Sequence, residues 1–194
     1  MKKNILFISH SGGAGGAEMC LLDLIRHIDK IKFNIYVNVP YKDFLSLELE
    51  KENIPYFISS TEMWIPPKKK WGVKHLTNFF KTLHSRIWSI ETKIHNLNID
   101  LVYSNSITCI DGALAAYHMK IPHVWHLHEN IQGNRSLKPY LPIKLTYYLA
   151  QLFSKNFISV SSSIAYHLKR PNTSLAVIHN GVDVNKFSHY SDNF

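Results

Sequence analysis

Short apolar runs of strand length alternate along this chain with longer stretches in which apolar residues recur at helical spacing. The first run covers residues 4–8 and leads into a glycine-rich turn. After the turn, apolar residues at i, i+3, i+4 and i+7 share one stripe of a helix: Leu21, Leu24, Ile25 and Ile28. This order predicts a strand, a loop and a helix that begins near Ala17.

Six further apolar runs predict strands, and helical patterns separate them. They are Phe33–Val39, Pro55–Ile58, Leu101–Ser104, Val124–Leu127, Phe157–Val160 and Leu175–Ile178. Between the second and third runs, Asp43 is placed to cap a short helix that carries Leu45 and Leu49. Seven strands joined by crossover helices predict an α/β fold with a Rossmann-like, doubly wound parallel sheet.

The turn after the first strand contains the glycines that a phosphate site would need: Gly12, Gly13, Gly15 and Gly16. Glycine permits positive φ and close approach of the backbone to a ligand, and the following helix directs its N–H groups and positive dipole end at the same place. The pattern is compatible with a phosphate site and equally with a plain tight turn. Glu18, in the first helical turn, is a candidate cleft residue or a carboxylate favoured by the dipole.

Two common nucleotide motifs are absent from this loop. The dinucleotide fingerprint requires a third glycine where Glu18 stands and an acid near the end of the second strand, where Asn38 stands instead. A nicotinamide enzyme is therefore disfavoured. The P-loop pattern also fails, because no Lys-Ser/Thr pair follows the glycines.

Composition and charge narrow the class of protein. A chain of 194 residues that is 45% hydrophobic can bury the core of one domain. Its two cysteines, Cys20 and Cys109, lie far apart in sequence, which argues against a disulfide framework and for a reducing, cytoplasmic compartment. No secretory signal or stretch of transmembrane length is found. The net charge of +8 suggests nucleic acid, anionic lipid or a polyanionic small ligand as partner.

Residues 63–90 form a basic segment without any acidic residue. Its basic residues are Lys68, Lys69, Lys70, Lys74, Lys81 and Arg86, interleaved with Trp64, Trp71, Phe79, Phe80 and Trp88. A helical stripe runs through and beyond it: Leu76, Phe79, Phe80, Leu83, Ile87, Ile90, Ile94 and Leu97. The favoured interpretation is a helix packed on the sheet with a solvated basic face. The more specific, functional interpretation is that the segment contacts an anionic membrane. Nucleic acid is not predicted as a partner, because no nucleic-acid-binding motif accompanies the charge.

Polar residues follow the fourth and fifth predicted strands: Asn105 and Ser106 after the fourth, and His126, His128 and Glu129 at the end of the fifth. Carboxyl ends of parallel strands meet at one edge, so we expect Asn105 and His128 to line the same crevice as the glycine loop. A metal site built from His126, His128 and either Glu129 or His10 is conceivable, but none is assigned, because such spacing is common. No G-x-S-x-G elbow supports a serine nucleophile.

Several of these motifs together resemble one family. They are Gly15-Gly16-Ala17-Glu18 at the first helix, His128-Glu129 after the fifth strand, Ile158-Ser159-Val160-Ser161, and Val177-Ile178-His179-Asn180-Gly181-Val182-Asp183 followed by Phe187. The chain resembles the N-terminal half of GT-B fold glycosyltransferases of family 4, across residues 4–187. The N-G-V-D-x-x-x-F ending is the most specific part of the match.

The resemblance implies a retaining, metal-independent transfer of a sugar from a nucleotide-sugar donor to a glycan or lipid-linked acceptor, without a cofactor. It assigns the four glycines to the donor phosphates and His128 to the catalytic position beside the transferred sugar. Glu18, Asn105, Ser106, His126 and Glu129 are expected to line the acceptor side of the cleft, and Asn180, Gly181 and Asp183 the interdomain hinge.

The family's second domain, with its E-x(7)-E carboxylates, has no counterpart after Phe187. We therefore expect residues 1–188 to form the acceptor-side domain, residues 189–194 to begin a linker, and this chain alone to have little or no activity. Two alternatives stay open, a non-catalytic interaction module and a different Rossmann-like nucleotide-binding protein.

Overall fold

The computed structural model describes residues 2–168 and 171–181. Its seven strands are β1 (Lys3–Ile8), β2 (Phe33–Val39), β3 (Tyr56–Ile58), β4 (Leu101–Ser104), β5 (His123–Leu127), β6 (Asn156–Ser159) and β7 (Ser174–Val177). They form one sheet in the order β3-β2-β1-β4-β5-β6-β7, and every pairing is parallel. The predicted strands and the doubly wound parallel sheet are confirmed.

Helices connect the strands: α1 (Gly16–His27), α2 (Phe44–Lys51), α3 (Val73–Asn96), α4 (Asp111–Met119), α5 (Ile143–Phe153) and α6 (Ser162–Ala165). A short 3₁₀ turn, Lys68–Lys70, precedes α3. The predicted cap of α2 is confirmed, because the Asp43 side chain accepts from the backbone N–H of Phe44 in a capping box with Ser46. In the described part of the chain, no helix has both the length and the apolar content needed to cross a bilayer.

The two faces of the sheet are covered by different helices, and strand β1 shows why. Side chains alternate along a strand, so Ile5 and Phe7 pack in one cluster with α1 and α2, while Leu6 and Ile8 pack in another with α3 and α4. All four side chains are buried. A central strand enclosed on both faces needs the continuous apolar run seen in the sequence.

Helix α3 corrects two expectations for the basic segment. Phe79 is buried but Phe80 is 64% exposed, because neighbouring helical residues point about 100° apart and only one of the pair can face the sheet. Arg86 is only 3% exposed and pairs with Asp111, so it is not on the solvated basic face. Trp64 is also half-buried, and its indole N–H donates to the Ile107 carbonyl.

Candidate functional site

Strand order reverses between β1 and β4, and the crevice at the carboxyl end of such a switch point is where open α/β sheets bind ligands. The loop after β1 carries the glycines, the loop after β4 carries Asn105, and the residues after β5 include His128. The Asn105 amide links the start of α1, directly after the glycine loop, to His128. Its Nδ2 donates to the Ala17 carbonyl at 2.8 Å, and its Oδ1 lies 3.1 Å from His128 Nε2. The structure therefore places the glycine loop, Asn105 and His128 along one edge, as expected.

The glycines differ in what surrounds them. Gly12 is buried, and a Cβ there would lie 2.6 Å from the Tyr41 carbonyl oxygen, so the residue is small because the β2–α2 loop packs on it. The Leu45 N–H also donates to the Gly12 carbonyl at 2.8 Å. Gly16 is exposed, with open space where a Cβ would be.

None of the four loop glycines uses the positive φ that glycine permits. Gly15, for example, caps α1 with an extended backbone at φ −75°. Among the predicted phosphate-binding glycines, Gly13 donates its N–H to Ser11 Oγ at 3.1 Å, which leaves Gly15 and Gly16 as the exposed pair at the start of α1.

Glu18 lies inside the loop, only 2% exposed. Its carboxyl group accepts from its own backbone N–H and from Ser9 Oγ, 3.4 Å away, and lies 3.2 Å from His10 Nδ1. Burial raises the pKa of Glu18, opposed in part by these hydrogen bonds. The predicted anion site at the start of α1 is thus already shared with a carboxyl group of the protein.

Three histidine rings crowd the crevice. The His126 and His128 ring centroids are 4.1 Å apart, and His126 Nδ1 is 2.8 Å from the Tyr103 hydroxyl. Burial lowers the pKa of His126 to about 3 and that of His128 to about 4. Burial, with the nearby His128 ring, also lowers the pKa of His10 to about 4. All three rings are neutral at physiological pH, so they offer hydrogen bonds and no permanent positive charge.

Ser106 and Glu129 brace the loops that carry Asn105 and His128. Ser106 is buried, and its Oγ lies 2.7 Å from both Thr108 Oγ1 and Glu129 Oε1, where it donates to the carboxylate. The Ser106 carbonyl accepts from the Trp125 indole N–H at 2.8 Å. Burial raises the pKa of Glu129, again opposed by its hydrogen bonds. These contacts fix the backbone next to His128, while Ser106 itself offers no exposed oxygen to a ligand.

The predicted hinge residues lie only partly within the described part of the chain. Asn180 and Gly181, which follow β7, are exposed, while Asp183 and Phe187 lie outside the described residues.

Within residues 2–168 and 171–181, no three His, Cys, Asp or Glu side chains are arranged to hold a metal ion. Sequence reasoning missed Tyr103 and Ser9, although both stand at the carboxyl ends of strands, the position that singled out Asn105 and His126.

Comparison with known families gives one match over most of the chain. The sequence matches the Glycosyltransferase Family 4 model over residues 14–186. The chain belongs to this family. The match begins within the glycine loop and includes both Asn105 and His128. A comparison with curated proteins gives no match.

Solved structures share the fold. Anabaena HepE in complex with UDP superposes with a TM-score of 0.65 at 24% identity, over 95% of this chain and 45% of that one. The galactosyltransferase WaaB, of the lipopolysaccharide outer core, gives 0.66 at 13% identity over 93% of this chain and 46% of its own. Acinetobacter baumannii MurG gives 0.58 at 15% identity over 91% and 45%. This family 4 chain has the architecture of the N-terminal half of a GT-B fold and spans less than half of each of these proteins.

Proposed function

We propose that this family 4 chain is the acceptor-side half of a retaining glycosyltransferase, of the hexosyltransferase type, that uses a nucleotide-sugar donor. The observation that carries the proposal is the link from the start of α1 through Asn105 to His128, in a chain of this family. HepE has been solved with UDP, with UDP-glucose, and with UDP and glucose, which supports a uridine-diphosphate sugar as the donor class. The acceptor we propose is a cell-envelope, polysaccharide or lipid-linked glycan.

The chemistry follows from what each group can offer. Gly15 and Gly16 are exposed at the start of α1, and of the two only Gly16 has open space where a Cβ would be. Beside the Glu18 carboxyl group, the backbone N–H groups and the helix dipole there favour the donor diphosphate. His128 is neutral and half-buried, so it can bond a sugar hydroxyl without adding charge. Transfer is proposed to need no metal ion, because both cleft carboxyl groups are engaged within the protein: Glu18 is 2% exposed, and Glu129 Oε1 accepts a hydrogen bond from Ser106 Oγ.

We propose that residues 1–188 form one domain and that a second domain completes the cleft. The two domains would be joined through a hinge at Asn180, Gly181 and Asp183, and residues 189–194 would begin the linker. The proposal is supported by the lengths of the related structures, of which this chain covers about 45%. Because transfer needs donor and acceptor held together, we expect this half alone to turn over little or nothing.

A ligand screen tests the donor class. Thermal unfolding is measured with UDP-glucose, UDP-galactose, GDP-mannose and NAD, each at several concentrations. A ligand at about 100 times its Kd stabilises a protein by about 2.7 kcal/mol, so even a weakened site gives a concentration-dependent rise in Tm. We expect UDP-sugars to raise Tm and NAD to have no effect. A response to NAD without one to any nucleotide sugar would contradict the proposal.

We also propose that residues 63–90 contact the cytoplasmic face of an anionic membrane. Five lysines of this segment are exposed: Lys68, Lys69, Lys70, Lys74 and Lys81. Trp71, Val73 and Phe80 are exposed among them. An isolated bridge between Pro67 and Leu137 joins this segment to residues 131–142, which add Arg135 and Lys138 to the same edge. Exposed apolar and basic side chains in one place suit a headgroup layer, at about 1 kcal/mol per engaged basic residue. The acid beside them, Glu62, accepts a hydrogen bond from Asn78 Nδ2 at 2.8 Å.

Vesicle sedimentation tests the membrane contact. We expect binding to anionic vesicles at low salt, weaker binding at high salt, and none to neutral vesicles. The variant Lys68→Glu/Lys69→Glu/Lys70→Glu should lose binding. The matched control is Lys2→Glu/Lys30→Glu/Lys155→Glu, which makes the same charge change at the opposite, amino-terminal edge of the sheet. Equal loss in both variants, or no binding of the wild type at low salt, would contradict the proposal.

A further inference from the structure

The amide of Asn105 has a single consistent orientation in this structure. The Ala17 carbonyl oxygen can only accept, so the atom 2.8 Å from it must be the Asn105 nitrogen. The oxygen of the amide then faces His128, 3.1 Å from Nε2. Because the amide oxygen has no proton to give, the proton of that hydrogen bond belongs to His128 Nε2.

We propose that Asn105 is a positioning residue that holds His128 as the Nε2–H tautomer and so leaves Nδ1 as a hydrogen-bond acceptor. No described residue is bonded to Nδ1, and the His128 side chain is half-buried at the crevice. The second half of this inference rests on the proposed function: Nδ1 accepts a hydrogen bond from a sugar hydroxyl. The ring therefore orients a substrate hydroxyl and does not donate a proton from this atom.

The burial of Asn105 makes it suited to this task. Its side chain is 0% exposed, and its backbone N–H donates to the Ile8 carbonyl at 3.0 Å, which anchors the residue to the end of β1. A fully enclosed amide cannot rotate without losing the bond to Ala17 and turning its oxygen toward that carbonyl oxygen, which is costly. The position of α1's first turn thus determines which nitrogen of His128 carries the proton.

Neither His126 nor Glu129, the neighbours of His128 on the same segment, supplies this restraint. His126 packs against the ring at a centroid distance of 4.1 Å, but its own Nδ1 is bonded to the Tyr103 hydroxyl. Glu129, the next residue, directs Oε1 at Ser106. A buried ring without a fixed partner can exchange between its two tautomers. We therefore expect both tautomers of His128 to be populated once the Asn105 oxygen is removed.

Nitrogen NMR of ¹⁵N-histidine-labelled protein tests the tautomer directly, without substrate or activity. Protonated and unprotonated ring nitrogens give well-separated signals, and a His128→Gln variant assigns those of His128. In the wild type at pH 7 we expect a protonated Nε2 and an unprotonated Nδ1. A protonated Nδ1 in the wild type overturns the inference, whatever the variants do.

Two substitutions separate the restraint from general destabilisation. Asn105→Ala should give averaged signals from both nitrogens of His128. Asn105→Asp loses the bond to the Ala17 carbonyl but keeps an oxygen toward Nε2, and should keep Nε2 protonated. The control is Asn38→Ala, because Asn38 is also a buried amide that donates to a backbone carbonyl, that of Ser59, at the end of the neighbouring strand β2. The control should leave the His128 signals unchanged. Unchanged signals in Asn105→Ala would overturn the inference.

The result is separable from the fate of the proposed function. If the donor screen fails while the wild type shows Nε2–H and Asn105→Ala releases it, the positioning role stands and the substrate assignment does not. If the donor binds but His128 is protonated at Nδ1, the glycosyltransferase proposal stands and Asn105 has only a structural role.

Discussion

The guanidinium of Arg86 forms two hydrogen bonds with the carboxylate of Asp111, at 2.8 Å and 3.1 Å, in the interior between α3 and α4. Arg86 also donates to the Phe79 carbonyl and to Thr82 Oγ1, and lies 4.9 Å from the centre of the Phe79 ring. Burial raises the pKa of Asp111, and the pairing with Arg86 opposes that shift. The pair joins the basic segment to the loop that leads from Asn105 into α4.

Replacing Arg86 is expected to be strongly destabilising. Arg86→Ala leaves the Asp111 carboxylate buried without its partner, and breaking a buried pair in this way costs about 3–5 kcal/mol. Denaturant unfolding gives the free energy of unfolding for the comparison. The control Lys81→Ala removes an exposed cation from the same helix and should stay within about 0.5 kcal/mol of wild type. A loss at Arg86 no larger than that at Lys81 would show that the buried pair is not needed.

Stability should fall as the pH is lowered from neutral, in part because of His123. Burial lowers the pKa of His123 to about 3, so below an unfolded-state pKa of about 6.5 the unfolded chain binds a proton that the folded protein does not. The contribution of His123 to the free energy of unfolding is fully present above pH 6.5 and is lost as the pH falls toward 3. At pH 5 the loss is about 2 kcal/mol relative to pH 6.5 and above. The raised pKa values of Glu18 and Glu129 act with the opposite sign.

Substitution of His123 isolates its contribution to the pH dependence of the free energy of unfolding. The free energy of unfolding is measured between pH 5 and 7.5 for wild type, His123→Gln and the exposed control His84→Gln. We expect a shallower pH dependence in His123→Gln, whatever its absolute stability, and the wild-type slope in His84→Gln. Parallel curves for all three proteins would mean that the buried ring does not contribute.

Two glycines of the same loop should respond differently to alanine. In Gly12→Ala the new Cβ meets the Tyr41 carbonyl oxygen at 2.6 Å, so the loops must separate, at a cost of about 1–3 kcal/mol. Gly16→Ala meets nothing within 4 Å and should be neutral or slightly stabilising at the start of α1. If the donor phosphates approach Gly16 as proposed, Gly16→Ala weakens UDP-sugar binding without loss of stability. Normal binding by this variant would place the phosphates elsewhere.

In the proposed two-domain enzyme, His128 should matter more for turnover than its neighbour. If His128 contacts the reacting sugar, His128→Ala loses interactions made mainly in the transition state, and kcat falls by about 100-fold or more with a modest change in donor affinity. His126→Ala is the matched control, because His126 bonds the Tyr103 hydroxyl in the interior. Steady-state kinetics with saturating donor makes the comparison, and small, equal effects would assign both rings a structural role.

Much of the site was predictable from the sequence because parallel sheets bring the carboxyl ends of their strands to one edge. Asn105 and His128 were placed beside the glycine loop on that ground, and the structure connects them through one amide. The role of Gly12 was not predictable, because its neighbour Tyr41 comes from the loop after the next strand. The exposure of Phe80 was also missed, since the sequence placed both Phe79 and Phe80 on the apolar stripe and only Phe79 is buried.

The sequence by itself determined the elements, their order and the edge at which polar residues collect. These properties depend on local spacing and on the apolar runs that a sheet covered on both faces requires. Only the tertiary structure decided which polar groups are paired: Arg86 with an acid 25 residues away, and Asn105 with a carbonyl 88 residues away. The physical reason is that the burial of a charge or an amide depends on the partner supplied by a distant segment, and local sequence carries no record of that partner.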